Sequence, residues 1–235
     1  MRRREFLQAA GVVAVGGTVF SANALGKHFD AQPEHVTLAY EPSTLDRYRP
    51  ELVMPAAAEE KLIGLYGWVA RSAERETSVA VYWASYSHQD GWLGNLDSHY
   101  GDHEPVYVFF DDEGEVQQVI ASIYHWIAGR VPGTEIALVD GTHPQLRVIE
   151  PWHQYTAAGQ PGEFFDVDDL GTVFDSWLDN GLEASLAPGA VTNPWTMRSR
   201  PDWWRRGTVG ISINATLVDT MMAVGVGNVG SLSEQ

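Results

Sequence analysis

The feature that most constrains the fold is a pair of alternating segments, residues 105–110 and 116–126, joined by a short acidic turn. Three apolar side chains of the first segment share one face of a strand: Val106, Val108 and Phe110. The turn, residues 111–115, contains Gly114, which can take the positive φ that tight hairpin turns need. The pattern predicts an antiparallel hairpin, so we expect a mainly β chain.

Carboxylates continue the apolar face of this hairpin toward its open end. Glu104 is in phase with the three apolar residues, Asp102 can lie on the same side, and His99 can fold over them. A carboxylate at the edge of a core is costly unless it meets a cation or several donors. Carboxylates with an imidazole suit Ca²⁺, Mg²⁺ or Mn²⁺. We therefore predict a divalent-cation site with these three ligands and a loop carboxylate, Asp90 or Asp97. Without an ion, Asp102 and Glu104 would accept backbone hydrogen bonds.

Histidine chemistry is the second hypothesis for this end of the hairpin. Pairing across the turn places His125 opposite residues 102–104, where it could act as a ligand or as an orienting partner. A divalent metal with several histidines could also activate water, which makes a metal-dependent hydrolase an alternative. His125 and His153 are the candidate catalytic residues. The chain has no G-x-S-x-G or H-E-x-x-H motif, so no known nucleophile pattern supports this alternative.

The spacing His99-x-Gly101-Asp102-x-Glu104 resembles the H-x-G-D-W-E signature of Vps62-related proteins and the G-H-R-H-D-W-E signature of the necrosis-inducing NPP1-like proteins. Flanking segments of the same pattern occur in the same order: Tyr82-Trp83 with Tyr86, Ser122-Ile-Tyr-His125, His143-Pro144 and His153-Gln-Tyr155. The resemblance covers roughly residues 77–156, with His103 in place of the signature Trp and Pro105 after the Glu.

This resemblance implies a two-sheet antiparallel β-sandwich whose signature loop holds a divalent cation, with His153 near the same rim. It also makes a carbohydrate- or glycolipid-binding module a third hypothesis. One or two short helices are expected beside the sheets, and an α+β arrangement is the alternative.

The composition indicates the solvent conditions and the binding partners that suit this protein. The formal net charge is −16, and only two of the 15 basic residues are lysine, Lys27 and Lys61. The excess of acid and the scarcity of lysine predict adaptation to high salt, where a dense carboxylate surface is screened. Nucleic-acid binding is not expected, because phosphate contacts need a basic face. The absence of cysteine excludes disulfides and thiolate metal sites.

The first 26 residues are typical of a twin-arginine export signal. Arg3-Arg4 stands before Phe6-Leu7, a short apolar run follows, and Ala22-Asn-Ala24 supplies a cleavage site. The apolar run is too short to span a bilayer comfortably, so we expect cleavage, no stable membrane span afterwards, and a secreted or cell-surface protein. Cleavage removes three Arg and one Glu, which changes the net charge from −16 to −18.

We assign residues 27–220 to a single β-sandwich domain and residues 221–235 to a flexible glycine-rich tail. Prolines make regular helix unexpected in residues 27–55. Residues 56–66 are predicted to form a short helix with Lys61 on its wet side, and residues 167–180 form the best helical pattern.

An arginine- and tryptophan-rich segment forms the local basic cluster of this acidic chain. It contains the candidate ligand-binding residues Trp195, Arg198, Trp203 and Trp204. Arginine packed on tryptophan is the simpler interpretation, and a site for a carbohydrate or acidic lipid headgroup is the functional one. Asn214-Ala-Thr216 fits the N-glycosylation pattern, although its predicted position within a strand argues against modification. Together these features predict an exported, salt-adapted, divalent-metal-binding β-sandwich of unassigned activity.

Overall fold

The computed structural model describes residues 32–90, 98–124, 127–179 and 191–196. Within these ranges the chain is mainly β, with two sheets and three short helices, which confirms the predicted fold class. The helices are α1 (Pro42–Tyr48), α2 (Ala56–Lys61) and α3 (Phe174–Asp179).

The strands of the described residues are β1 (Val36–Ala39), β2 (Glu51–Val53), β3 (Leu62–Ser72), β4 (Ser78–Gln89), β5 (His99–Phe110), β6 (Val116–Tyr124), β7 (Ile127–Pro132), β8 (Leu138–Val139), β9 (His143–Ile149), β10 (Gln154–Ala157) and β11 (Val167–Asp169). The larger sheet runs β1-β3-β4-β5-β6-β7, with β11 added in parallel to β3. The smaller sheet runs β10-β9-β2, with β8 paired to β9.

The predicted hairpin is confirmed as β5 and β6. Val106 lies opposite Ala121, and the turn is closed by a hydrogen bond of 3.1 Å from the Asp111 amide to the Glu115 carbonyl. Gly114 takes a φ of 87°, which explains why glycine stands there. The second strand is shorter than expected, because the chain turns back after Tyr124 and pairs with β6 as β7.

The main core lies between the two sheets. Side chains of β4 and β5 on one face of the larger sheet pack against the smaller sheet, and this face includes the residues in phase with Val106. Members of this core are Tyr82, Tyr86, Val106, Val108, Leu146, Val148 and Tyr155. Helix α1 closes one end, where Tyr48 stacks on Phe110 with ring centroids 4.1 Å apart. The two-sheet arrangement therefore leaves the opposite end, where β5 begins, for polar residues.

A second apolar cluster covers the outer face of the larger sheet. Its members include Trp68, Trp83, Tyr107, Phe109, Leu170, Trp177 and Val191. Residues 170–177 and 191–195 thus form a third layer over the outer face, and both faces of the central strands are buried. Burial on both faces explains the dense aromatic content of β4 and β5.

Three helix predictions need correction. Residues 27–55 do contain a helix, α1, because Pro42 lies in the first turn, where its missing N–H costs nothing. The helix predicted for residues 56–66 ends at Lys61, where β3 takes over. The helix predicted for residues 167–180 begins only at Phe174, because residues 167–169 pair with β3 as a strand.

The expected export signal and glycine-rich tail lie outside the described residues. None of the helices in the described residues is long and apolar enough to cross a membrane.

Candidate functional site

The candidate site lies at the end of the two sheets where β4 ends and β5 begins. Asp102 stands opposite Tyr86 on β4, and Glu104 stands opposite Ala84. Both carboxylates point into the space between the two sheets. Asp102 is only 1% exposed and Glu104 only 2%. The predicted common face of Glu104 and the apolar residues of β5 is therefore confirmed.

Asp102 is held by a histidine from the turn between β9 and β10. The Oδ2 atom of Asp102 lies 2.8 Å from Nδ1 of His153. His153 is fully buried, takes a φ of 53°, and stacks on Tyr86 with ring centroids 4.0 Å apart and an interplanar angle of 13°. The turn thus places an imidazole between the end of β4 and the start of β5. Sequence reasoning selected both residues and grouped them at one rim, as the structure has them.

The other nitrogen of the His153 ring faces a second carboxylate. Its Nε2 lies 3.4 Å from Oε1 of Glu150, the residue that follows β9. Burial alone would favour the neutral ring, but Asp102 and Glu150 outweigh it and raise the pKa of His153 to about 8. Glu150 is itself partly buried, yet its interactions with His153 and Lys61 lower the pKa of its carboxyl. The described geometry therefore favours a charged imidazolium between two carboxylates.

Lys61 extends this cluster to the surface. Its Nζ lies 3.0 Å from Oε2 of Glu150 and 2.7 Å from Oδ2 of Asp90. Burial opposes its charge, but hydrogen bonds to these two carboxylates outweigh the burial and raise the pKa of Lys61. The expectation that Lys61 lies on the wet side of a helix is wrong. It is the last residue of α2, and its side chain enters the rim between the two acids.

Glu104 occupies the floor of the site beside β6 and β10. Its carboxylate accepts a hydrogen bond from the Ser122 hydroxyl, and its backbone carbonyl accepts one of 3.2 Å from the Tyr155 hydroxyl. Ser122 and Tyr155 both belong to segments whose sequence resembles the NPP1-like pattern. These segments therefore meet at Glu104 in the structure.

His103 faces the opposite side of the sheet from Asp102 and Glu104. Its ring lies 4.1 Å from that of Trp177, and its Nε2 is 3.2 Å from the Ser85 hydroxyl. The position at which the signature has Trp is thus an outer-face core position. In this chain the imidazole ring of His103 fills that position, away from the acidic cluster.

The rim of the site carries an exposed aromatic side chain. Tyr100, which stands opposite His88 on β4, is 79% exposed. Asp90 lies beside them, with its Oδ1 atom 3.8 Å from His88 Nε2, and the hydrogen bond from Lys61 lowers the pKa of its carboxyl. An aromatic ring in solvent is therefore flanked by polar and acidic groups.

Of the remaining predicted site residues, the structure describes the side chain of Trp195 alone. His99 begins β5 and pairs along the backbone with Gln89. Trp195 is half-buried on the outer face, where its indole N–H donates a hydrogen bond of 3.1 Å to Thr77. The other predicted site residues lie outside the described residues: Asp97, His125, Arg198, Trp203, Trp204 and Asn214. Among the described side chains, no group of three His, Asp or Glu residues is arranged to hold a metal ion.

Sequence reasoning missed Lys61 and Glu150 as members of the site. The rarity of lysine was a usable signal. In a chain with only two lysines, Lys61 is expected to have a specific partner rather than a general role in surface charge. Glu150 stands three residues before His153, a spacing that could have suggested a turn bringing both to one rim. Neither signal specifies which acids the lysine meets, because its partners lie 29 and 89 positions away.

No family model and no curated protein matches this chain. Similar solved structures include necrosis and ethylene inducing protein 2 from the causal agent of cocoa's witches' broom disease, which is 18% identical with a TM-score of 0.43. This similarity covers 79% of the present chain and 93% of that one. NLPPya in complex with glucosamine is 14% identical with a TM-score of 0.45, over 83% of this chain and 96% of that one. NLPPya in complex with mannosamine is 13% identical with a TM-score of 0.44, over 83% and 96%. Similarity at this level does not establish family membership.

Proposed function

We propose that this chain is an exported binding protein whose buried acidic site holds a divalent cation. The observation that carries the proposal is the placement of Asp102 and Glu104. The two carboxylates are almost fully buried, two residues apart on one strand, and directed to the same side. Buried carboxylates are tolerated where cations or several donors meet them.

The charges of the described cluster favour such an ion. Four carboxylates gather at this rim: Asp90, Asp102, Glu104 and Glu150. Lys61 and a protonated His153 would offset two of these four charges. A divalent cation would add positive charge to this acidic rim. Carboxylate oxygens are the donors that Ca²⁺, Mg²⁺ and Mn²⁺ prefer.

The residues that would hold the ion are those predicted from the sequence. Asp102 and Glu104 would supply carboxylate oxygens, and His99 stands at the start of the same strand. One loop carboxylate, Asp90 or Asp97, would complete the set. A bound cation would supply positive charge and open coordination positions for oxygen atoms of a ligand.

A second observation extends the proposal to a carbohydrate ligand or the carbohydrate headgroup of a lipid. Tyr100 presents its ring to solvent two residues along β5 from Asp102. An exposed ring next to acidic side chains offers an apolar face for stacking and hydrogen-bond acceptors for hydroxyl groups. Binding is favoured over hydrolysis, because both ring nitrogens of the buried His153 face carboxylates rather than solvent.

Calorimetric titration with Ca²⁺, Mg²⁺ and Mn²⁺ in molar NaCl tests the cation. We expect wild type to bind at least one of these ions, and we expect Asp102→Asn and Glu104→Gln each to abolish binding while keeping the side-chain shape. The control is Asp112→Asn in the exposed turn between β5 and β6, which should bind as wild type does. Absence of heat in wild type would leave a hydrogen-bonded carboxylate pair as the explanation of the site.

Titration with glucosamine tests the ligand. We expect the wild type loaded with its cation to bind the sugar, and we expect Tyr100→Ala to lose the sugar while retaining the cation. Equal sugar binding by wild type and Tyr100→Ala would remove Tyr100 from the site.

A further inference from the structure

A strap of chain, residues 158–165, runs beside β2 along the edge of the smaller sheet. The Leu52 amide donates a hydrogen bond to the Glu163 carbonyl, and the Glu163 amide donates one to the Leu52 carbonyl, both at 2.9 Å. At Gly162 a Cβ atom would lie 2.4 Å from the Leu52 carbonyl oxygen, so only glycine allows the strap to come this close. Backbone contacts therefore fix the strap to β2.

A cavity of about 210 Å³ lies between this strap and β2. Met54 and Phe165 line it and also pack against the main core, so the cavity borders the core. An engineered apolar cavity of about 150 Å³ accepts a benzene ring in another protein. The cavity beside β2 therefore has room for an aromatic ring with a short side arm. Its apolar lining residues are Leu52, Val53, Met54, Pro161 and Phe165.

The charged residues that line the cavity are both acidic. They are Glu59 from α2 and Glu163 from the strap, and both are exposed. Neither carboxylate forms an ion pair with a basic side chain among the described residues. Two such negative charges beside an apolar wall attract a ligand that carries a positive charge. Met54 and Phe165 favour an aromatic body for that ligand, because thioethers and aromatic rings both pack well against a ring.

We propose that this cavity binds a small organic cation in which a short arm joins an aromatic ring to an ammonium group, an arylalkylammonium. The ring would lie against Met54 and Phe165, and the ammonium would lie near Glu59 and Glu163. None of the residues that line the cavity belongs to the acidic cluster around Asp102. Binding here therefore does not require a cation at that cluster.

Calorimetric titration with three probes separates the contribution of the ring from that of the charge. The probes are phenethylammonium, phenethyl alcohol and ethylammonium. The buffer contains chelator and the lowest NaCl concentration at which circular dichroism shows a folded chain, because salt screens exposed charges. We expect phenethylammonium to bind more tightly than either of the other two. Absence of phenethylammonium binding, or equal binding by phenethylammonium and either comparison compound, would overturn the proposal.

Substitution of the two acids tests where the ammonium lies. Glu59→Gln and Glu163→Gln should each weaken phenethylammonium binding by about 2- to 5-fold, the size expected for an exposed ion pair. The matched control is Glu60→Gln, which removes the same charge from the next position of α2, outside the cavity lining, and should bind as wild type does. All three acids are exposed, so the variants should fold. Equal weakening by Glu60→Gln and Glu59→Gln would indicate a general charge effect and refute this site.

A second readout locates the ring of the bound probe. Nuclear magnetic resonance of isotope-labelled methionine methyl groups gives few signals, because the sequence contains five methionines, and Met54→Leu identifies the Met54 signal by its loss. We expect phenethylammonium to shift the Met54 signal, because an aromatic ring against the thioether changes its magnetic environment. A Met54 signal that stays in place at saturating probe would refute binding in this cavity.

Discussion

Raising the pH from about 6 to about 9 should destabilise the folded protein through His153. The ring faces the carboxylates of Asp102 and Glu150, Tyr86 lies against it, and Lys61 stands beyond Glu150. Burial favours the neutral ring, but the two carboxylates outweigh it and raise the pKa of His153 from 6.5 to about 8. The folded state therefore favours the protonated ring.

The size and sign of the effect follow from that pKa. A difference between 6.5 and about 8 corresponds to about 2 kcal/mol of folding free energy. Because the pKa is higher in the folded state, this stabilisation is fully present below pH 6.5 and is lost as the pH rises through about 8. Three neighbouring groups have pKa values that are displaced away from this window: the pKa of Lys61 is raised, that of Glu150 is lowered, and that of Tyr86 lies well above its ordinary value.

Urea unfolding of wild type and His153→Gln, in molar NaCl with chelator, measures this effect. Between about pH 6 and about pH 9, wild type should lose about 2 kcal/mol more unfolding free energy than the variant. In thermal melts the same difference is about 4–8 °C for a chain of this size. If the unfolding free energy of wild type changes with pH in parallel with that of the variant, or rises with pH, the assignment of a buried imidazolium is refuted.

Two further predictions concern the whole chain. At a net charge of −18 after signal cleavage, lowering the salt from molar NaCl to dilute buffer should lower the melting temperature, because carboxylate repulsion is no longer screened; a flat or rising melting temperature on dilution would contradict salt adaptation. Replacing Arg3 and Arg4 with lysine should trap the precursor in the cytoplasm, as shown by fractionation and immunoblotting, whereas unchanged secretion would exclude the twin-arginine route.

The parts of the fold that the sequence predicts are those governed by local periodicity. Alternation in β5 places Glu104 in phase with Val106 and Phe110, and Gly114 marks the turn, so the hairpin needs no long-range information. The same alternation puts His103 on the outer face, where it meets Trp177. For these residues the period-two pattern alone determines which layer each side chain enters.

The parts that could not be predicted depend on contacts between distant segments. Residues 167–169 continue a helical pattern but pair with β3, because a strand edge there is available only in the folded chain. Lys61 ends a helix in the sequence pattern, yet its partners Asp90 and Glu150 are brought to it by the ends of β4 and β9. The cation itself remains a prediction, as do the ligand roles of His99 and the loop carboxylates.

Elemental analysis of the folded protein, purified without added metal and dialysed in molar NaCl, tests the central proposal most directly. We expect about one Ca²⁺, Mg²⁺ or Mn²⁺ ion per wild-type chain. We expect none in a variant that combines Asp102→Asn with Glu104→Gln. A wild-type protein without bound ion, or a double variant that retains the same ion content, would contradict the proposed cation site.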